Sequence, residues 1–148
     1  MKNLTDDQII AKALEILSSR VINGEVLASP AATADFLKLK LSDRPHEIFC
    51  VILLTAQHSV IEVEELFRGT IDGAAIYPRE VVKSALIKNA AAVIFAHNHP
   101  SGVAEPSSAD RRITDRLVSA LGLVDVRVLD HIIVAGADHF SFAENGLL

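Results

Sequence analysis

The clearest indication of the architecture comes from residues 91–102, which read Ala91-Ala92-Val93-Ile94-Phe95-Ala96-His97-Asn98-His99-Pro100-Ser101-Gly102. The apolar run over 91–96 predicts a strand. The polar residues over 98–106, which include proline and glycine, predict a loop directly after it. Because functional groups collect in loops at the ends of strands, this segment is the first place to look for a site.

Strands and helices alternate along the rest of the chain. Further strands are predicted over 48–54, 60–67, 126–134 and 139–142. Helices are predicted to begin at capping or proline positions, namely Thr5, Ser29-Pro30, Pro78 and Ser107. This alternation favours a mixed α/β fold.

The break at Ser42-Asp43-Arg44-Pro45 separates two parts of the chain. Residues 1–41 are predicted to form a short N-terminal helical leader, and residues 42–148 a catalytic domain. The whole chain has 148 residues, half of them hydrophobic, which is enough for one domain with a substantial core.

Composition limits the possible sites and locations. The only cysteine, Cys50, lies in an apolar run, so we expect a core residue and exclude both an internal disulfide and a multi-cysteine zinc site. No apolar run reaches the ~18 residues that span a bilayer, and the N-terminus does not resemble a signal peptide. We therefore expect a soluble, cytoplasmic protein with no membrane partner. A net charge of −5 argues mildly against binding to nucleic acid through phosphates.

The histidines at the predicted strand end indicate a metal site. His97 and His99 are two residues apart, so their side chains project to the same side of an extended chain. The loop then returns to Asp110 near the start of a helix. Two histidines and one carboxylate suit a catalytic zinc ion that keeps one position open. Each part also has a simpler explanation, because loop histidines are common and Ser107-x-x-Asp110 is also a capping box.

The two motifs together, His97-x-His99-Pro100 and Ser107-x-x-Asp110, resemble the JAMM zinc motif of the JAB/MPN family. RadC-type proteins are more similar still, over about residues 42–148. The matching segments are Glu64-Glu65-Leu66-Phe67-Arg68-Gly69-Thr70, Tyr77-Pro78-Arg79-Glu80, Asn89-Ala90-Ala91-Ala92, His97-Asn98-His99-Pro100-Ser101-Gly102, Leu129-Asp130-His131 and Ser141-Phe142-Ala143-Glu144-x-Gly146. The resemblance implies a JAB/MPN-like (cytidine-deaminase-like) sheet flanked by helices.

The resemblance also implies roles for individual residues. His97, His99 and Asp110 would hold zinc, although the sequence does not say through which ring nitrogens. Glu47 would act as general acid and base, and Ser107 would hydrogen-bond the developing oxyanion. Three other glutamates are rivals to Glu47, namely Glu62, Glu64 and Glu65. His131, between apolar residues, is expected to be a core histidine or a neighbour of the ligands, not a fourth ligand.

The function implied is a zinc-dependent amide hydrolase, either a metallopeptidase or an isopeptidase-like enzyme, with a peptide or protein as substrate. The alternative is a DNA-repair-associated RadC-type accessory factor without peptidase activity. A third possibility is a scaffold that has lost catalysis. Longer RadC proteins carry an N-terminal helix-hairpin-helix region, for which this chain has no room, and this counts against the DNA role.

Overall fold

The computed structural model describes residues 3–22, 30–41, 43–69 and 76–148. These residues form four helices and five strands, which confirms the mixed α/β prediction. The helices are α1 (Asp6–Ile22), α2 (Pro30–Leu41), α3 (Pro78–Ile87) and α4 (Ser108–Gly122). The strands are β1 (Ile48–Leu54), β2 (Val60–Arg68), β3 (Ala92–Asn98), β4 (Arg127–Ala135) and β5 (Asp138–Ser141).

The strands form one sheet in the order β2-β1-β3-β4-β5. Only β3 and β4 pair in parallel, and the other neighbours are antiparallel. Parallel neighbours need a crossover connection, which α4 supplies. The loop after β3 therefore leads directly into the N-terminus of α4, and this brings His97 and Asp110 to the same end of the sheet.

Both faces of the sheet are covered. One core joins the sheet to α2 through Phe36, Leu37 and Leu41, and α1 packs against its edge. The other core joins the sheet to α3 and α4. All residues of β1 and β3 are buried, which explains their continuous apolar sequence. Cys50 is a buried core residue, as predicted.

The ends of the helices follow their sequence signals. At α1, the Gln8 amide N–H donates to Thr5 Oγ1 at 3.2 Å, and the Thr5 N–H donates to Gln8 Oε1 at 2.9 Å. This is the predicted capping box. Asn89, which follows α3, has a φ of 55°, the left-handed conformation that ends many helices. The predicted cap at Ser29 lies outside the described residues.

The predicted boundary between leader and catalytic domain falls at Ser42, which also lies outside the described residues. On its N-terminal side, Leu37 and Leu41 of α2 are fully buried in the core of the sheet. In the part of the chain that the structure describes, no helix is both long enough and apolar enough to cross a membrane.

Candidate metal centre

Three side chains that could hold a metal ion converge where β3 ends and α4 begins. His97 Nε2 lies 2.9 Å from His99 Nε2 and 3.3 Å from Asp110 Oδ1. His99 Nε2 lies 3.1 Å from Asp110 Oδ2. Among the described residues, these three form a group of histidine and carboxylate side chains that could hold a metal ion. The structure thus brings together the three residues that the sequence motif singled out.

One hydrogen bond of the His99 ring determines which of its nitrogens faces His97 and Asp110. Its Nδ1–H donates to the carbonyl oxygen of Val103 at 2.8 Å, because a carbonyl can only accept. In the neutral ring this leaves a lone pair on Nε2, which points at His97 and Asp110. The side chain is 12% exposed, whereas those of His97 and Asp110 are almost completely buried. The centre therefore opens to solvent on the side of His99.

Asp110 serves the centre and the helix cap at the same time. The Ser107 N–H donates to Asp110 Oδ2 at 2.8 Å, and the Asp110 N–H donates to Ser107 Oγ at 3.0 Å. This is the complete capping box of α4. Ser107-x-x-Asp110 can therefore be a capping box and part of a metal site at once, because the Asp110 carboxylate that accepts the Ser107 N–H also faces both histidines.

The electrostatics of the group favour a cation. Burial raises the pKa of Asp110, but the neighbouring His97 and His99 more than offset this and keep the pKa well below its usual range. Burial lowers the pKa of His97, whereas the hydrogen bond with Asp110 raises the pKa of His99. A carboxylate stays ionised here, and the positive charge that it attracts can reside at His99.

The donor set fits a metal ion. Two imidazole nitrogens and a carboxylate oxygen point at one another at 2.9–3.3 Å. Such a cluster of acceptors needs a positive charge at its centre, supplied either by a proton on His99 or by a metal cation. Two histidines with one carboxylate, held on rigid elements and open on one side, is the ligand pattern of catalytic zinc sites.

Glu47 lies beside this centre, at the start of β1. It is half-buried and lines an open cleft of about 310 Å³, together with Pro45, His46, Gly69, Pro100 and Ser101. Burial lowers the pKa values of His97 and His99, whereas Asp110 raises them, and the negative charge of Glu47 adds a further contribution that favours the protonated rings. The structure therefore places a carboxylate within electrostatic reach of the ligand pair and in contact with an accessible cleft.

Asn98, the residue between the two histidines, fixes the segment that carries Glu47. Its Oδ1 accepts the Ile48 N–H at 2.7 Å, and its Nδ2 donates to the carbonyl oxygens of His46 at 2.9 Å and Arg44 at 3.3 Å. The side chain is buried and bridges the end of β3 to the residues before β1. Sequence analysis gave no role to Asn98, although an amide inside a buried strand is itself a signal of a specific hydrogen-bond network.

Comparison with known proteins identifies the family. Residues 27–147 match the RadC-like JAB domain, which is most of the chain and includes α2. The chain belongs to the RadC-like JAB domain family. This agrees with the resemblance that the sequence motifs predicted.

Relatives of the RadC-like chain are closely similar in sequence. A UPF0758 protein of Vibrio cholerae is 57% identical over 143 residues, which is 97% of this chain and 90% of the relative. UPF0758 proteins of Thiobacillus denitrificans and Methylibium petroleiphilum are 56% and 57% identical, but the chain covers only 62% and 64% of their lengths. Their names state no activity, so the function of the RadC-like domain has to be argued from its site.

The rival glutamates of the RadC-like domain are engaged elsewhere. Glu65 forms a bidentate pair with Arg44 at 3.0 and 3.3 Å, and Lys40 lies 3.6 Å away. Glu62 lies 3.2 Å from the amine of Lys88, the residue after α3, and Glu64 accepts a hydrogen bond from the Ser84 hydroxyl of α3. The Glu62 side chain is 43% exposed, whereas Glu64 is half-buried beside Ser84.

His131 contacts His97 through the ring nitrogen that points away from His99 and Asp110. Its Nε2 lies 2.7 Å from His97 Nδ1, and its Nδ1 lies 2.6 Å from Thr114 Oγ1. This matches the expectation of a buried neighbour of the ligands. Thr114 was missed, although its position four residues after Asp110 puts both side chains on one face of α4.

Proposed function

We propose that this protein is a zinc-dependent amide hydrolase, of metallopeptidase or isopeptidase-like type. The observation that carries the proposal is the juxtaposition of two elements. One is a buried group of His97, His99 and Asp110, open on one side. The other is Glu47, which lines the adjoining cleft. Membership of the RadC-like JAB domain family supports it.

The three proposed ligands differ in the charge that they would bring to the ion. His97 and His99 contribute neutral nitrogens, and Asp110 contributes the only formal negative charge of the set. A bound zinc ion supplies Lewis acidity, which acidifies water and polarises a carbonyl group. Because the capping box and the Val103 carbonyl fix Asp110 and His99, little reorganisation is needed when the site is filled.

Glu47 is proposed as the proton carrier. Its carboxylate takes a proton from the attacking water and passes that proton to the leaving amine. The half-buried position at the cleft keeps the carboxylate close to substrate while leaving a path to solvent. Asn98 holds the backbone on both sides of Glu47, so the carboxylate starts from a fixed anchor.

Ser107 is proposed to stabilise the oxyanion. Its Oγ accepts the Asp110 N–H in the capping box, which uses an oxygen lone pair and leaves the hydroxyl proton free to donate. The residue is exposed, so a substrate carbonyl can reach it. A preorganised donor at this position is worth about 10²–10³ in rate when it contacts the developing charge.

A peptide or protein is the proposed substrate. The cleft is open to solvent, as an extended chain requires. Gly69 lines it with a φ of +119°, directly after β2. Among the described strands, β2 stands at one end of the sheet order, so its outer side is where an extended peptide could add by strand pairing.

Metal content tests the first part of the proposal. Purified protein should hold one zinc per chain by elemental analysis, and the double variant His97→Ala with His99→Ala should lose it. His139→Ala, at an exposed histidine of β5, is the matched control and should keep full occupancy. Full zinc content in the double variant would refute the site.

Peptide-library cleavage with and without chelator tests the reaction. Once a substrate is found, Glu47→Gln should retain zinc but lose about 10²–10⁴-fold in hydrolysis, the usual contribution of a general base. Glu65→Gln is the matched control, because this glutamate is paired with Arg44. A fully active Glu47→Gln combined with an inactive Glu65→Gln would reverse the assignment.

DNA binding distinguishes the alternative function. Arg111 and Arg112 are exposed neighbours at the start of α4. They point about 100° apart on a helix and so do not form one patch. We expect duplex binding no tighter than ~10⁻⁴ M at physiological salt, and expect it to be indifferent to chelator. Tight, metal-dependent binding of duplex or single-stranded DNA would overturn the peptidase proposal and make DNA the substrate to pursue.

A further inference from the structure

A chain of hydrogen bonds runs from the backbone of α4 to the ligand His97. Thr114 Oγ1 lies 2.7 Å from the carbonyl oxygen of Asp110 and 2.6 Å from His131 Nδ1. His131 Nε2 in turn lies 2.7 Å from His97 Nδ1. All three side chains are fully buried, so each contact has to be satisfied within the protein.

The Asp110 carbonyl, where this series of hydrogen bonds begins, determines which atom is the donor in each bond. Two oxygens at 2.7 Å need a proton between them, so the Thr114 hydroxyl donates to the Asp110 carbonyl. The hydroxyl then accepts from His131 Nδ1–H. A neutral His131 has no proton left for Nε2, which accepts from His97 Nδ1–H. The free lone pair of His97 is therefore on Nε2, the atom that faces His99 and Asp110.

Packing keeps His131 neutral and in place. Phe142 stacks on its ring, with a centroid distance of 4.6 Å and an angle of 15°. Phe49 and Phe95 meet it edge-on at 5.7 and 5.9 Å. His131 is fully buried in this aromatic enclosure, and burial of an unpaired charge is costly.

Asp130 anchors that enclosure. Its Oδ1 accepts the backbone N–H groups of His131 at 2.7 Å and Ala143 at 2.9 Å, and its Oδ2 accepts the Ser141 hydroxyl at 2.6 Å. The strand that carries His131 and the segment that carries Phe142 are thereby tied to one carboxylate. The ring of His131 has little freedom to turn.

We propose that Thr114 and His131 are positioning residues that fix His97 as an Nε2 metal ligand. This inference rests on the proposed metal site, and it adds which atom coordinates and what imposes that choice. A ligating histidine commonly donates its other N–H to a carboxylate or carbonyl. Here the acceptor is a neutral histidine, which orients the ring without adding negative charge to the site.

The proton positions can be observed without any metal. Long-range ¹H–¹⁵N correlation spectra of the metal-free protein distinguish protonated from unprotonated ring nitrogens. We expect Nδ1–H in both His131 and His97, and an unprotonated Nε2 in His131. A His131 protonated at Nε2 would overturn the inference, because His97 would then carry its own proton on the coordinating atom.

Metal affinity tests the consequence. Titration with Co²⁺, followed by its visible absorption, should give an affinity about 10–100-fold weaker in Thr114→Val than in the unchanged protein. Thr114→Ser keeps the hydroxyl and should stay within about threefold of the unchanged protein. Thr55→Val, which removes a hydroxyl at the opposite end of β1, is the matched control.

The outcomes separate this inference from the proposed function. If the unchanged protein binds no Co²⁺ or zinc, the proposed function fails, whereas the spectra still decide the proton positions. If the unchanged protein and Thr114→Val bind Co²⁺ equally well, only the positioning role fails. Urea unfolding of each metal-free variant identifies any loss of affinity that arises from misfolding.

Discussion

Replacement of Asn98 by alanine should disturb the proposed general base Glu47 without disturbing the proposed metal ligands. In the folded protein, the Asn98 side chain makes three hydrogen bonds to the segment before and at the start of β1. Asn98→Ala leaves the N–H of Ile48, a buried residue, without its acceptor. The carbonyls of Arg44 and His46 lie on partly or fully exposed residues and can bind water instead.

The expected loss of stability follows from that difference. One buried unsatisfied donor costs about 1–3 kcal/mol, and the two accessible carbonyls add little because water replaces the amide. We therefore expect Asn98→Ala to lose about 1–3 kcal/mol in urea unfolding of the metal-free protein. Gln57→Ala, at an exposed amide in a turn, is the control and should lose less than about 0.5 kcal/mol.

The functional effect should be selective. Zinc affinity should hardly change, because His97 and His99 are oriented by other partners. Hydrolysis should fall by about 10²-fold, because a misplacement of Glu47 by about 1 Å has that cost. A stability loss below 0.5 kcal/mol, or loss of zinc along with activity, would refute the assignment of Asn98 as the anchor of Glu47.

Three further predictions follow from the packing and the charges. Burial raises the pKa of the Cys50 thiol to about 12, so a thiol reagent at pH 8 should label the protein only after unfolding; rapid labelling of folded protein would contradict this. Phe142→Ala should cost about 3–5 kcal/mol in urea unfolding, and Phe140→Ala, at a half-buried position, clearly less; equal losses would contradict the enclosure of His131. The hydrogen bond from Arg44 lowers the pKa of Glu65, and a lowered carboxyl pKa stabilises the fold above the usual pKa. Glu65→Gln should therefore cost less than about 1 kcal/mol at pH 7, since the pair is partly exposed, and the difference should vanish as the pH falls through the lowered pKa. A difference that persists in acid would contradict the ion pair.

The sequence predicted the parts of the fold that depend on local patterns. β1 and β3 are apolar runs buried on both faces, and the caps at Thr5 and Ser107 use side chains within three residues. The candidate metal ligands could also be predicted from the sequence, because His97 and His99 are two residues apart and one loop leads from them to Asp110. In each case the deciding contacts are short in sequence.

The parts that escaped prediction depend on contacts distant in sequence. Asn98 contacts residues about 50 positions earlier, through the antiparallel pairing of β1 and β3. His131 was expected to be a core residue or a neighbour of the ligands, but its particular contact with His97 escaped prediction, because it arises from the parallel register of β3 and β4 that sets Phe95 opposite His131. Apolar periodicity does not determine which strands are neighbours, so neither contact could be derived from it.

The position of Phe142 has a consequence for when the centre matures during protein synthesis. A ribosome makes Glu47 and all three ligands well before it makes the residue that covers His131. Until Phe142 has emerged and packed, water can reach His131 and the proton order behind His97 is not enforced. Domains fold as units, so we expect metal to be captured after synthesis has passed Phe142 and not by the growing chain. A stalled nascent chain that ends before residue 142 would then carry all the proposed ligands and the proposed general base, yet lack the proposed activity.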